Sequence, residues 1–153
     1  MLPRTYDSQN CSIARSLEIV GDRWTLLVIR TAFEGVRRFD DFADHLGMAR
    51  NVLADRLNRL CEEGILRRHR YQERPERFEY RLTRKGVELW PTMMSLLKWG
   101  DRHYAENGPP AIISHRGCGG SLTEQLTCDA CGVSLGPGDV EPLPGPGAVP
   151  LGR

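Results

Sequence analysis

Two short loops in the last third of the chain carry the residue types that bind metal: His115-Arg-Gly-Cys118-Gly119 and Cys128-Asp-Ala-Cys131-Gly132. Each sets two ligand side chains at i and i+3, then adds a glycine, the residue that admits a tight turn around an ion. One imidazole and three thiolates make a closed tetrahedral donor set. The spacing therefore predicts structural zinc held by His115, Cys118, Cys128 and Cys131 in a small zinc-ribbon-like hairpin. Two other readings stay open: a Cys128/Cys131 dithiol exchanging with Cys118, or a hairpin that holds no metal. A thioredoxin-type dithiol needs a βαβ setting, which these Gly/Pro-rich surroundings do not supply.

Five cysteines is an odd number, which favours thiol or metal chemistry over a structural disulfide framework. Cys11 stands just before a predicted helix, where the helix N-terminus would lower a thiol pKa, so it is a candidate for redox sensing. Its other reading is a small buried hydrophobe. Cys61 falls on the inner face of a helix and reads as core. Gly132-Val-Ser134-Leu-Gly136 matches a nucleophile elbow in form only, because Pro137-Gly138 follows where a helix is required. No catalytic constellation is present, and the chain reads as a non-enzyme.

The elements around these residues are mostly helical. Ile13, Leu17 and Val20 share one face of a first helix that Gly21 ends, and 24–33 is apolar enough for a buried second helix. Phe39, Phe42 and Leu46 mark a short third helix ended by Gly47. Leu53, Leu57, Leu60 and Cys61 line the inner face of a fourth over about 50–63, with Gly64 as its cap. Strands are predicted at 65–71 and 78–82, with 72–77 as the tip between them. Two short helices, the second polar outside, followed by a hairpin read as a winged helix-turn-helix. A long helical pattern then reaches about Tyr104, with Pro91 expected to kink or restart it. Its surplus of large apolar residues, like that of the first helix, points to a two-fold dimer interface; folding back on its own core is the other reading. From Ser134 the chain is Gly/Pro-rich without periodicity and should run extended.

A length of 153 residues suits one domain with appendages. The expected parts are a polar arm (1–10), a DNA-binding and dimerisation domain (11–106), the Cys/His knuckle hairpin (107–133) and the tail (134–153). No apolar run is long enough to span a membrane, and the N-terminus lacks a signal-peptide pattern, so a cytoplasmic protein is expected. Formal net charge is only +1. Its distribution matters more: residues 1–85 carry 17 basic and 13 acidic side chains, residues 86–153 carry 4 and 7. In 67–85, eight Lys/Arg face three Glu, so the positive charge sits on the wing, where duplex phosphates would lie.

CSIARSLEIVGDRWTLLVIR, RRFDDFADHLGMARNVLADRLNRLCEEGIL, FEYRLTRKG and LLKWGDRHY, in this order over about residues 11–104, resemble the HxlR-type family of bacterial transcriptional regulators. The resemblance implies a homodimer that binds double-stranded DNA at a palindromic operator. It places Arg50, Asn51, Ala54, Asp55 and Arg56 on the DNA-facing start of the recognition helix. It also puts Cys11 where oxidant- or electrophile-sensing relatives carry a cysteine. The resemblance implies polar side chains in many relatives where this chain has Ala54 and Asp55, so base preference is expected to differ. Ala54 can touch a thymine methyl and Asp55 can accept from a cytosine amine. On this reading Arg50, Asn51, Asp55 and Arg56 contact bases, while Arg37, Arg38, Arg74 and Arg77 contact phosphates. A repressor is expected over an activator. A small aromatic or aldehyde effector could lie between the dimer helices, with Trp24, Trp90 or Trp99 in its wall. A protein-interaction adaptor built on the same scaffold is the reading from a different class.

Overall fold

The computed structural model describes residues 5–149. The first four residues of the expected arm and the last four of the expected tail lie outside the described residues. Contacts divide the chain into two compact units, with the boundary between Val87 and Glu88.

The first unit runs α1 (Ser12–Val20), α2 (Thr25–Phe33), α3 (Phe39–Leu46), α4 (Arg50–Glu62), β1 (Leu66–Glu73), β2 (Glu76–Leu82) and α5 (Arg84–Val87). Asp22 starts α2. Its carboxylate accepts the N–H of Trp24 at 3.0 Å, the N–H of Thr25 at 3.1 Å and the Thr25 hydroxyl at 2.7 Å. That satisfies donors a helix N-terminus leaves orphaned. Gly47 closes α3 in the left-handed region, φ 59°, which lets the chain turn at once into α4. Leu53, Leu57 and Leu60 recur at helical spacing and are all fully buried, together with Val28, Ile29, Phe42 and Leu66. Burial of each such side chain contributes about 1.5–3 kcal/mol relative to exposure.

β1 and β2 form an antiparallel hairpin in which Glu73 pairs with Glu76, so only Arg74 and Pro75 make the tip. The strands thus run further into the polar stretch than side-chain alternation predicts, because ladder pairing is a backbone property that solvent-facing charges do not interrupt. A short bridge, Arg38 to Glu79, adds a third strand segment beside β2, and the Tyr80 N–H donates to the Arg37 carbonyl at 2.7 Å. On α1 only Ala14 is buried; Val20 is half-buried, while Ile13 and Leu17 are 70% and 46% exposed, so much of its apolar stripe is uncovered among the described residues.

The second unit runs α6 (Trp90–Tyr104), β3 (Ala111–His115) and β4 (Val140–Pro144). Pro91 sits in the first turn of α6, where its missing N–H costs nothing, so the long pattern restarts there. Trp90, Met93 and Met94 are buried, whereas Leu96 and Trp99 are about half exposed. β3 and β4 pair antiparallel from Ala111↔Pro144 to His115↔Val140. The Gly145 N–H reaches the Pro110 carbonyl at 3.0 Å. The other edge of β3 pairs with the knuckle segment: the His115 N–H donates to Gly120 at 2.7 Å and the Leu122 N–H to Ile113 at 2.8 Å. Part of the Gly/Pro-rich tail therefore completes the small sheet that carries the knuckles. The local pattern gives no sign of this, since the partner strand lies almost thirty residues earlier.

Candidate nucleic-acid interface and metal centre

α4 presents a polar edge at its start. Arg50 is exposed; its guanidinium bonds Asp40 at 2.6 Å and covers the Phe39 ring at 4.7 Å. Asn51 and Asp55 are exposed and Ala54 is half-buried. Arg56 is half-buried. Its Nε lies 3.0 Å from Asp22 Oδ2, and Nη1 bonds Asp55 Oδ2 at 2.5 Å. Two carboxylates thus engage the side chain expected at a base. Asp22 itself feels burial, which raises its pKa, but the bonds from Thr25 and Trp24 and the Arg56 charge outweigh it. Its carboxyl ends below the ordinary value.

On the wing, Arg74 and Arg77 are exposed and have no side-chain partner among the described residues. Arg38 stacks over Tyr71 at 4.5 Å and lies 3.9 Å from Glu79, while Arg37 is exposed beside it. Arg81 donates to Glu79 at 2.9 Å and, with Arg38, holds that carboxyl below its usual range. Sequence reasoning put Asn58 on the polar face of the helix and Arg68 in the basic wing but missed the bond between them. The Arg68 guanidinium donates to Asn58 Oδ1 and lies 5.8 Å from the rings of both Phe78 and Tyr80, tying the wing to α4. No local signal links a helix residue to a strand residue ten positions on.

His115, Cys118, Cys128 and Cys131 come together, with one ligand atom from each all within 4.8 Å of one another. His115 Nδ1 is 3.2 Å from Cys118 Sγ and 3.5 Å from Cys131 Sγ; Cys118 and Cys128 sulfurs are 3.4 Å apart. The two loops are the same turn twice. The Gly119 N–H closes on the His115 carbonyl at 2.8 Å and the Gly132 N–H on the Cys128 carbonyl at 2.9 Å, with φ of 76° and 75° at the glycines. The Cys131 N–H is the largest influence on Cys128; with the Ala130 N–H and the Cys118 and His115 bonds it outweighs burial and draws the thiol down to about 6. For Cys118 the Gly120 N–H lowers the pKa, but Cys128, burial and Cys131 together push it up. A Cβ on Gly120 would stand 2.4 Å from Cys128 Sγ, so the cluster closes only around glycine there. These four residues could hold a metal ion.

The remaining thiols stand apart. Cys11 is exposed at the start of α1, its carbonyl accepting the Arg15 N–H at 3.1 Å. Cys61 is half-buried, and burial pushes its thiol up. Trp24 is half-buried, Trp90 buried, and Trp99 stacks with His103 and Tyr104 at 5.4 and 5.3 Å between ring centroids.

The helix pair α3–α4 followed by the basic hairpin is a winged helix-turn-helix, the architecture of DNA-binding transcription factors. The profile of HxlR-like helix-turn-helix proteins matches residues 19–108. An HTH-type transcriptional regulator of Mycobacterium tuberculosis strain H37Rv, Rv3095, is 44% identical over 137 residues, covering 89% of this chain and 87% of that one. The crystal structure of PA1607, assigned as a transcription factor, superposes with a TM-score of 0.72 at 34% identity, covering 85% of this chain and 92% of that one. The redox regulator HypR in its oxidised form gives a TM-score of 0.56 at 26% identity, over 61% and 97% of the two chains. The chain belongs to the HxlR-like helix-turn-helix family. It is a transcriptional regulator and not an enzyme. Among the described residues no helix is long and apolar enough to cross a membrane.

Proposed function

We propose that the chain is a homodimeric, sequence-specific repressor that acts in the cytoplasm on a palindromic operator. One observation carries this reading: the exposed polar start of α4 lies in the same unit as a hairpin whose Arg74 and Arg77 have no side-chain partner among the described residues. A helix fits the major groove and reads base edges, while unpaired arginines neutralise phosphates. Arg50, Asn51 and Asp55 are assigned to bases, with Ala54 against a thymine methyl. Arg37, Arg38, Arg74 and Arg77 are assigned to phosphates. Arg56, already engaged by Asp22 and Asp55, orients α4. The uncovered apolar residues Ile13 and Leu17 on α1, and Leu96 and Trp99 on α6, support a two-fold interface built from those helices.

Zinc is the ion we assign to the knuckles. A tetrahedron with bonds of about 2.0–2.3 Å has edges close to the observed donor separations, and four protein donors leave no open position, so the role is structural. Of the signals considered, thiol oxidation has more support than a small aromatic or aldehyde effector. Cys11, Cys118 and Cys131 are exposed, whereas Trp90 is buried.

Fluorescence anisotropy with a duplex selected from a random pool tests the DNA assignments. Arg50→Ala should weaken the selected duplex by about 1–3 kcal/mol and a scrambled duplex far less. Arg74→Ala should weaken both equally and reduce the salt slope by about 1. Equal losses in the two variants would overturn the assignment. Binding with neither sequence preference nor salt dependence would favour the adaptor reading instead.

A further inference from the structure

We propose that the knuckle cluster is a site of oxidative modification, at which a hydroperoxide joins Cys118 and Cys128 as a disulfide and the bound zinc leaves. This rests on the zinc reading above. Three features of the cluster set it apart from the other thiols. Cys118 is exposed and so open to a small oxidant. Its sulfur is 3.4 Å from that of Cys128, leaving a short movement to the bonded distance of about 2.0 Å. Cys128 is buried, which shields it from direct attack and suits it to resolve an oxidised neighbour. Cys11 is exposed but makes no sulfur contact among the described residues, and Cys61 is half-buried on α4, so neither has a second thiol at hand.

The chemistry balances without electrons from zinc, which is redox-inert. The Cys118 thiolate attacks the O–O bond, forming S–O and releasing an alkoxide (or hydroxide) that takes a proton from solvent. The Cys128 thiolate then attacks the sulfenic sulfur; S–S forms, and the departing hydroxide takes a second proton. Two thiolates lose two electrons in all, and the peroxide gains them. His115 and Cys131 alone remain as ligands, too few to retain the ion.

The experiment uses full-length, zinc-loaded chain and stoichiometric hydrogen peroxide. Zinc release is followed with a chromogenic chelator, and thiols are mapped by alkylation and peptide mass spectrometry. The expected result is one zinc released per two thiols lost, a Cys118–Cys128 disulfide, and reversal by dithiothreitol with added zinc. Cys11→Ser should change the release rate less than twofold, which keeps the test decisive even if Cys118→Ser fails to fold. Oxidation of Cys11 with zinc retained would overturn the proposal, as would zinc release accompanied by any other disulfide or by sulfinic acid alone. Protein that neither contains nor takes up zinc would sink the metal reading and this proposal together. A zinc-loaded protein inert to peroxide would sink only this one.

Discussion

From α2 to β2 the chain buries Val28, Ile29, Phe42, Leu53, Leu57, Leu60, Ile65 and Leu66 to 2% exposure or less; among the described residues the sheet that carries the knuckles buries Ile113, Leu122, Cys128, Leu135 and Val140, to between 2% and 8%. Burying a large apolar side chain contributes about 1.5–3 kcal/mol, so the first region draws more on apolar burial than the second, whose buried set is smaller and includes the ligand-type residue Cys128. What the second region has in place of a core is four converging donor atoms. On the zinc assignment proposed above, the first unit is held by apolar burial and the knuckle sheet by ligation, so each should fail under a different insult.

Metal removal should produce the largest difference. Ligation contributes on the order of 10 kcal/mol in small zinc modules, so chelator should abolish hydrogen-exchange protection across 111–144 while leaving 28–82 protected. Loss in both regions, or in neither, would break the comparison. The converse insult is Phe42→Ala, expected to cost the first unit about 3–5 kcal/mol in denaturant unfolding with zinc content unchanged. Gly120→Ala sharpens the point inside the knuckles. Its Cβ would meet Cys128 Sγ, so zinc affinity measured by chelator competition should fall about 10- to 100-fold, while Gly138→Ala, with open space around it, should leave affinity alone. The smallest effect is assigned to Asp22→Ala, about 1 kcal/mol, the scale of a lost capping residue. Because the folded Asp22 pKa lies below its ordinary 3.8, that contribution is complete above pH 3.8 and fades as pH falls through the folded value. A wild-type minus Asp22→Ala stability difference that grew on acidification would contradict the cap.

What could be read in advance divides along the same line. The α3–α4 pair was legible because apolar periodicity and a glycine stop are local signals: Phe42, Leu53, Leu57 and Leu60 are buried where their spacing puts them, and Gly47 has the left-handed backbone its place requires. The knuckles were legible because ligand spacing and the following glycine are chemical signals independent of hydrophobic pattern. The partner of β3 was not legible, because strand register is a long-range choice and 134–149 carries no alternation to announce it. The engagement of Arg56 by Asp22 was also hidden. A charged residue beside a recognition face reads as a ligand contact until a carboxylate from thirty-four positions earlier is seen to reach it.

The alternation of β4 has a consequence for how the protein behaves at high concentration. With the Gly145 N–H turned toward β3, the register turns the amide positions of Leu143 and Glu141 the same way and leaves Pro142 and Pro144 on the outer edge. Proline has no N–H, so that edge offers another chain no donors at those two positions. A short sheet with an open side would otherwise be a template for strand-by-strand growth. The same prolines that make the tail look structureless therefore guard the molecule against polymerising through its smallest sheet.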